Sequence, residues 1–246
     1  MPLSKNWLMP VLRGDQPAML KIAHSPFERE GAQLMAWWGG QGAAWVLAHE
    51  DPALLMERAE GPGSLIDMSR NGQDEAATRI ACDTVVRLHG VTGPPPPLPS
   101  LAERFAQQTE RLRSMGGVCH PALEVIATLL ETPRDVGVLH GDVHHGNILD
   151  FGSRGWLAID PQGVIGERAY DFANLLRNPD DDLVLSPGRL ERQLGWISEA
   201  AGHDPLRLLQ WGLAHAVLSA SWSLQDGQDP EPSLQIARHM AGVLGV

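Results

Sequence analysis

Residues 138–149 (VLHGDVHHGNIL) restrict the architecture of this chain more than any other segment. Asp142 and Asn147 stand five positions apart in a glycine-containing loop that begins at His140, and a short apolar run (WLAI) leads to Asp160 soon afterwards. This arrangement is typical of folds that transfer phosphoryl groups. In such folds we expect Asp142 to accept the proton of an attacking hydroxyl, and Asn147 and Asp160 to bind the Mg²⁺ that bridges nucleotide phosphates.

The composition indicates a folded protein without a nucleic-acid or membrane partner. The chain has 246 residues, of which 43% are hydrophobic and 20% charged, enough for one large domain or two lobes. No apolar run reaches the ~18 residues needed to span a bilayer, and the N-terminus lacks the apolar part of a secretion signal. The net charge of −11 disfavours nucleic acid, and it serves either solubility or the attraction of a cationic small substrate. Two isolated cysteines predict no disulfide framework, so we expect a cytoplasmic protein. A monomer or weak dimer is expected.

The beginning of the chain predicts a small β-sheet with one helix. Four short apolar runs bounded by turn residues are typical of strands. They are residues 7–13, 18–23, 44–49 and 53–58. A helix is predicted at residues 27–38, between a proline and a glycine pair. Because Gly, Pro and charged residues dominate after the fourth strand, we place a boundary there, between an N-terminal lobe of residues 1–59 and a C-terminal lobe of residues 60–246.

Two charged residues of this first lobe are candidates for binding a nucleotide. Lys21 lies inside the second strand, and Glu28 shares a helix face with small and apolar residues. Since a carboxylate on an inward face needs a cationic partner, we predict that Glu28 pairs with Lys21 and orients it toward phosphates. In the alternative interpretation, Lys21 is a surface residue of an edge strand and Glu28 only favours the helix N-terminus.

The remainder of the chain is predicted to be mainly helical. Apolar residues recur at helical spacing in several segments. These are residues 74–89, 101–115, 121–130, 170–176, 190–201, 205–222 and 233–244. A stiff polyproline connector at residues 93–99 joins the first two. The predicted fold class is therefore α+β, with a small β-rich lobe and a larger helical lobe.

Three histidines in the central loop raise the alternative of a zinc hydrolase. His140 and His144 have the spacing of ligands on a zinc-binding helix, and His145 follows directly. The glycines at 141 and 146 make a helix unfavourable there, and no third ligand with a neighbouring glutamate is evident. We therefore favour roles for these histidines in supporting the loop.

The loop also carries the signature HGDxHxxN, and through it the chain resembles the aminoglycoside phosphotransferase family. The likeness extends from about residue 11 to residue 222 and includes AMLKIA, WWGGQGAA, LLMERA and the block from HGDVHHGN to AYDFAN. Within the family it is nearer to the streptomycin 6-phosphotransferases and the hydroxyurea phosphotransferases. The central block is the specific part of this resemblance.

The resemblance implies a bilobal, protein-kinase-like fold that uses ATP and Mg²⁺. It implies Lys21 at the α- and β-phosphates with Glu28 as its partner, Asp142 as catalytic base, and Asn147 and Asp160 as metal ligands. In a kinase the main chain between the lobes forms a hinge that bonds the adenine. Here that hinge is predicted at Met56, Glu57 and Ala59. Asp171 and Asn174 match a family stretch with a structural role.

The sequence departs from the family pattern at two places. Gln162 stands where many relatives carry a second aspartate. Only residues 1–6 precede the first predicted strand, whereas a complete kinase lobe begins with a further strand and a loop that covers the phosphates. The predicted N-terminal lobe therefore lacks its first strand, and a nucleotide-binding pseudo-kinase with a truncated lobe is one alternative function.

The predicted function is transfer of the γ-phosphate of ATP to a hydroxyl of a cationic antibiotic, with streptomycin as the first candidate and hydroxyurea as the alternative. Guanidinium groups of such a substrate prefer planar carboxylates as partners. The candidate carboxylates are Asp180, Asp181, Asp182 and Asp226. In the alternative interpretation these residues only form solvated acidic loops.

Overall fold

The computed structural model describes residues 7–23 and 26–246, with the side chains of residues 26–28 outside that description. A four-stranded antiparallel sheet forms the N-terminal region, in the order β1-β2-β4-β3. Its strands are β1 (Trp7–Arg13), β2 (Gln16–Ile22), β3 (Val46–Glu50) and β4 (Ala53–Glu57). The four predicted strands are thus confirmed with small shifts at their ends. The predicted truncation before β1 concerns residues 1–6, which lie outside the described residues.

The sheet holds Lys21 on an inner strand. Lys21 lies opposite Leu8 of β1 and Leu54 of β4, and its side chain is buried. The edge-strand interpretation of Lys21 is therefore wrong, because β1 pairs along the outer side of β2. The outer strand β1 leaves large apolar side chains, such as Trp7 and Leu12, exposed to solvent.

One helix of the N-terminal region packs directly against the rest of the chain. This helix, α1 (Pro26–Trp38), buries Leu34, Met35 and Trp38. A Cβ placed on Gly31 would lie 2.2 Å from the carbonyl oxygen of Pro161, so only glycine allows this close approach of the helix to the loop after Asp160. The ring of Trp38 also stacks on His140, with centroids 5.9 Å apart. Helix α1 is thus fixed against the central loop.

The remainder of the chain is mostly helical, as predicted. Its helices are α2 (Leu65–Arg70), α3 (Asp74–His89), α4 (Leu101–Ala106), α5 (Thr109–Met115), α6 (Cys119–Glu131), α7 (Asp181–Val184), α8 (Arg189–Ala201), α9 (Pro205–Gln225) and α10 (Glu231–Leu244). Helix α9 is buried along most of its length and packs against α6, α8 and α10. The boundary predicted at residue 59 falls in a stretch without helix or strand between β4 and α2, and the division into lobes at that residue stays a prediction.

The structure differs from the predicted elements in two helical segments. The helix predicted at residues 101–115 is split into α4 and α5, because the chain turns at Gln107 and Gln108. The helix predicted at residues 170–176 is instead two 3₁₀ turns, Arg168–Phe172 and Leu175–Arg177. Apolar spacing does not distinguish these tighter turns from an α-helix over so few residues.

Two further properties concern the described residues as a whole. None of the helices in the described ranges is long and apolar enough to cross a lipid bilayer. Cys82 and Cys119 are both buried free thiols. Burial raises the pKa of Cys82 to about 12, so this thiol stays protonated and unreactive at neutral pH.

Candidate active site

The central loop lies between four short strands that bring its polar residues together. The strands are β5 (Val136–Leu139), β6 (Ile148–Asp150), β7 (Trp156–Ala158) and β8 (Val164–Glu167), paired as β5 with β8 and β6 with β7. The N–H of Ile159 donates to the carbonyl of Asn147 over 2.9 Å. This bond continues the β6–β7 ladder and places Asn147 beside the segment that leads to Asp160. The structure therefore brings these two predicted metal ligands to one place.

Asp171 fixes the main chain at the start of the loop. Its carboxylate accepts the N–H of His140 over 2.9 Å, the N–H of Gly141 over 2.7 Å and the Nε2 of His89 over 2.8 Å. Burial alone would raise the pKa of Asp171, but the hydrogen bond and charge of His89, with the bonds from the loop, outweigh it and hold the pKa below its usual range. Asp171 is therefore an ionised, buried anchor for the central loop.

Arg104 of α4 binds the carbonyl groups on the other side of the same loop. Its guanidinium donates to the carbonyls of Gly141 over 3.2 Å, Gln162 over 3.3 Å and Gly163 over 3.4 Å. Gly141 has a φ of +79°, and a Cβ there would lie 3.0 Å from the guanidinium. A glycine is therefore needed at 141 both for the backbone conformation and for the approach of Arg104.

The predicted base, Asp142, is held by neutral side chains. The Nδ2 of Asn174 donates to its Oδ1 over 3.0 Å, and the Nε2 of Gln162 donates to its Oδ2 over 3.3 Å. The amide nitrogen of Asn147 donates to the backbone carbonyl of Asp142 over 3.0 Å. Since this bond occupies the nitrogen of Asn147, its amide oxygen points away from Asp142 and is the atom that suits a metal ion.

Lys21 reaches the site from the sheet and contacts Asp160. Its ammonium donates to Oδ1 of Asp160 and forms an ion pair with it. Asp160 has a left-handed φ of +59°, which is strained for a residue other than glycine and is a frequent mark of functional sites. Its side chain is 41% exposed, so its oxygens are accessible to a ligand. The predicted pairing of Lys21 with Glu28 concerns a side chain outside the described residues.

The three loop histidines have separate structural surroundings. His140 bonds the carbonyl of Ile159 over 2.9 Å, and the Nδ1 of His144 accepts the N–H of Gly146 over 3.1 Å. His145 is buried and has no hydrogen-bond partner among the described residues, and burial lowers its pKa to about 4. Across the described part of the chain, no group of three or more His, Cys, Asp or Glu side chains could hold a metal ion. The geometry therefore favours loop support over zinc binding by these histidines.

The predicted hinge residues lie at the end of β4. Met56 is buried in the sheet, and Ala59 packs against the same core cluster. Glu57 accepts the N–H of Trp45 over 2.6 Å and pairs with Arg154, while its own N–H donates to the carbonyl of Trp45 over 3.0 Å. These atoms of Glu57 are engaged within the protein. The binding of an adenine by this segment stays a prediction.

The acidic residues proposed for the substrate divide into two places. Asp180, Asp181 and Asp182 line a cleft of about 610 Å³ together with Arg70. Asp226 lies at the end of α9 and is not among the residues that line this cleft. Burial lowers the pKa of Arg177, whereas the charges of Asp142 and Asp181 oppose this shift. Arg177 precedes the three carboxylates of the cleft by three to five residues in the chain and bonds Asn174, which in turn bonds Asp142.

Comparison with known proteins identifies the family. A family model described as "Aminoglycoside/hydroxyurea antibiotic resistance kinase" matches residues 4–227. The chain belongs to this family. It is 50% identical to the streptomycin 3''-kinase of Klebsiella pneumoniae over 228 residues, which cover 90% of this chain and 85% of the relative. The streptomycin 6-kinase of Streptomyces griseus is 27% identical, with 94% of this chain and 78% of that protein covered. The resemblance noted in the sequence is confirmed, with a 3''-kinase more similar than this 6-kinase.

A solved structure supports the same fold. The choline kinase LicA of Streptococcus pneumoniae superposes with a TM-score of 0.71 at 12% identity, covering 98% of this chain and 89% of that one. The predicted bilobal, protein-kinase-like fold is confirmed by this likeness and by the small sheet followed by helices. Membership of a kinase family also confirms the predicted enzyme class, a phosphotransferase acting on a hydroxyl acceptor.

Reasoning from the sequence missed several residues that shape the site. Arg104 was not considered, and Gln162 was noted only as a departure from the family. Asp171 and Asn174 were expected to be structural, yet Asn174 contacts the carboxylate of Asp142 directly. A signal existed for Asp171, because an acid in the otherwise apolar stretch around Tyr170 and Phe172 must find donors when it is buried.

Proposed function

We propose that the protein transfers the γ-phosphate of ATP to a hydroxyl of streptomycin, and that the 3''-hydroxyl is the acceptor. The observation that carries this proposal is the 50% identity to a streptomycin 3''-kinase over most of both chains. The arrangement of Asp142, Asn147 and Asp160 supports it, because these residues supply the oxygen atoms that phosphoryl transfer requires.

In the proposed mechanism, the base and the metal ligands have separate tasks. The carboxylate of Asp142 orients the acceptor hydroxyl and accepts its proton as the bond to phosphorus forms. The amide oxygen of Asn147 and the carboxylate of Asp160 would hold Mg²⁺, since hard oxygen ligands fit this ion and the side chain of Asp160 is accessible. Bound there, Mg²⁺ would neutralise charge on the phosphate oxygens.

Lys21 has the position of a phosphate-binding lysine in this proposal. Its burial in the sheet and its ion pair with Asp160, a proposed metal ligand, support a role in binding the phosphates. We infer that Glu28 supports Lys21 and that the main chain at Met56, Glu57 and Ala59 binds the adenine. A nucleotide-binding pseudo-kinase is the rival outcome of an activity assay.

We propose that the cleft lined by Asp180, Asp181 and Asp182 binds the guanidinium groups of streptomycin. Asp180 already accepts Arg70 over 2.8 Å and the N–H of Leu183 over 3.1 Å, and these two bonds lower its pKa. Asp181 and Asp182 are exposed on the first turn of α7. We therefore assign cation binding to Asp181 and Asp182, with Asp180 shaping the cleft and Asp226 in a lesser role. A reducing cytoplasm suits the two free thiols.

The test is an ADP-release assay with purified protein, ATP and Mg²⁺, in the presence and absence of streptomycin. We expect drug-dependent ADP release, with the phosphate located on the 3''-oxygen by NMR. Asp142→Asn should lower kcat by roughly 10² to 10⁴-fold, because it removes the general base. If ADP is released with hydroxyurea and not with streptomycin, hydroxyurea replaces streptomycin as the proposed substrate. ATP binding by calorimetry without phosphate transfer to either compound would favour the nucleotide-binding pseudo-kinase.

A further inference from the structure

The carboxylate of Asp142 is held at both of its oxygens by side-chain amides. Asn174 donates to Oδ1 over 3.0 Å, and Gln162 donates to Oδ2 over 3.3 Å. Rotation of an aspartate carboxylate about its last bond is broad and has no strong intrinsic preference. Two donors on opposite oxygens select one orientation of the carboxylate plane. Each oxygen keeps a second lone pair, which is enough to accept a hydroxyl proton.

The amide of Asn174 is itself fixed in one orientation. Its oxygen accepts the guanidinium of Arg177 over 3.2 Å and the Nδ2 of Asn178 over 3.0 Å. If the amide were flipped, its nitrogen would face these two donors, and its oxygen would face the carboxylate of Asp142. Arg177 is held in turn by Ser233 of α10 over 2.8 Å. The nitrogen of Asn174 therefore has to face Asp142.

We propose that Asn174 and Gln162 are positioning residues that form an amide clamp on Asp142, with Arg177 fixing the amide of Asn174. This inference rests on the proposed role of Asp142 as the base. A cation in direct contact would bind the carboxylate more strongly and compete with the acceptor hydroxyl. Neutral amides orient the carboxylate without placing a positive charge in contact with it. The positively charged Arg177 contacts the amide oxygen of Asn174 instead.

The clamp also joins separate parts of the fold at the reacting group. Gln162 lies in the loop that follows Asp160, and Asn174 lies between the two 3₁₀ turns before α7. Asn174 is 5% exposed, whereas Gln162 is half-buried. Water can therefore replace the donor of Gln162 more easily than that of Asn174, so Asn174 contributes more to the orientation of Asp142.

Two variants test the clamp by removing each donor at nearly constant shape. Asn174→Asp keeps an acceptor for Arg177 but places an anion against Asp142, and we expect kcat to fall about 10- to 100-fold through misplacement of the base. Gln162→Met keeps the length of the side chain without the donor, and a fall in kcat of about 2- to 10-fold is expected. In both variants the KM values for ATP and streptomycin should stay within about twofold.

Gln193→Met is the matched control, because Gln193 is 0% exposed and donates to Leu175 and Thr78. It should lower the melting temperature without changing kcat. If Asp142→Asn is inactive but both clamp variants keep the wild-type kcat, the clamp is wrong and the proposed function stands. If Asp142→Asn stays active, the base assignment fails and the clamp with it. A rise in the KM for streptomycin at constant kcat would make these residues substrate contacts instead.

Discussion

The two sides of the candidate site are built in different ways. On the helical side, two buried side chains fix the main chain of the central loop. Asp171 accepts its N–H groups, and Arg104 donates to its carbonyl groups. On the sheet side, Lys21 is placed by strand pairing, and the neighbouring strand β1 is largely exposed. Side-chain hydrogen bonds therefore position the base, whereas backbone pairing of neighbouring strands positions the lysine.

The largest expected effect on stability comes from the buried anchor of the loop. Asp171→Asn should lower the free energy of unfolding by about 3 to 5 kcal/mol, because it replaces a buried carboxylate that accepts three donors. Urea denaturation followed by circular dichroism measures this loss. Asp135→Asn is the control, since the Asp135 side chain is 56% exposed in its ion pair with Arg168 and should cost less than about 1 kcal/mol. Equal losses in the two variants would contradict the special role of Asp171.

A smaller effect is expected for the lysine on the sheet side. Lys21 is 6% exposed, and Lys21→Met fills the same buried space but removes the ammonium. We expect kcat/KM for ATP to fall roughly 10- to 100-fold, the equivalent of one charge-assisted hydrogen bond. Steady-state kinetics at varied ATP measures it. Arg13→Met on the exposed strand β1 serves as the control. A change of less than twofold in kcat/KM for ATP in Lys21→Met would contradict a phosphate-binding role.

The helical side should also make stability depend on pH. Burial, reinforced by the charges of Arg177 and Arg104, holds the pKa of His215 well below its usual range. In the unfolded chain, His215 binds a proton below a pKa of about 6.5, whereas in the folded chain it does not. Below that pH, the free energy of unfolding therefore falls by about 1.4 kcal/mol per pH unit as the pH decreases.

The variant His215→Phe suits the aromatic surroundings of Tyr170 and Trp222 and should remove this contribution. The measurement is urea denaturation of both proteins at pH 7 and pH 5.5. An identical pH dependence in the wild type and the variant would show that His215 does not titrate in this way.

The smallest effect is expected at the exposed strand. Leu12 is 69% exposed on β1, so Leu12→Lys should change the free energy of unfolding by less than about 0.5 kcal/mol. Chemical denaturation of the purified variant is sufficient to test this. A loss above about 1 kcal/mol would mean that the apolar residues of β1 are covered in solution, and the contrast between the two sides would weaken.

Much of the fold could be predicted because its signals are local. The strand β1 and the helix α3 were predicted with their observed bounds, since alternation, helical spacing and flanking turn residues all lie within each segment. The strands β5 and β8 were not predicted, because four-residue strands carry little periodicity of their own. The same limit explains why the short 3₁₀ turns around Asn174 were predicted as a helix.

The sequence by itself determined the candidate residues for the chemistry, namely Asp142, Asn147 and Asp160 on their loop and strand, and Lys21 within its strand. The tertiary structure alone decided how Asp142 is held. Its partner Asn174 lies 32 positions away, and the anchor Asp171 lies 31 positions from His140. A motif records the identity of neighbouring residues along the chain. A hydrogen bond between distant residues depends on how helices and loops pack, and packing brought Asn174 and Gln162 to the two oxygens of Asp142.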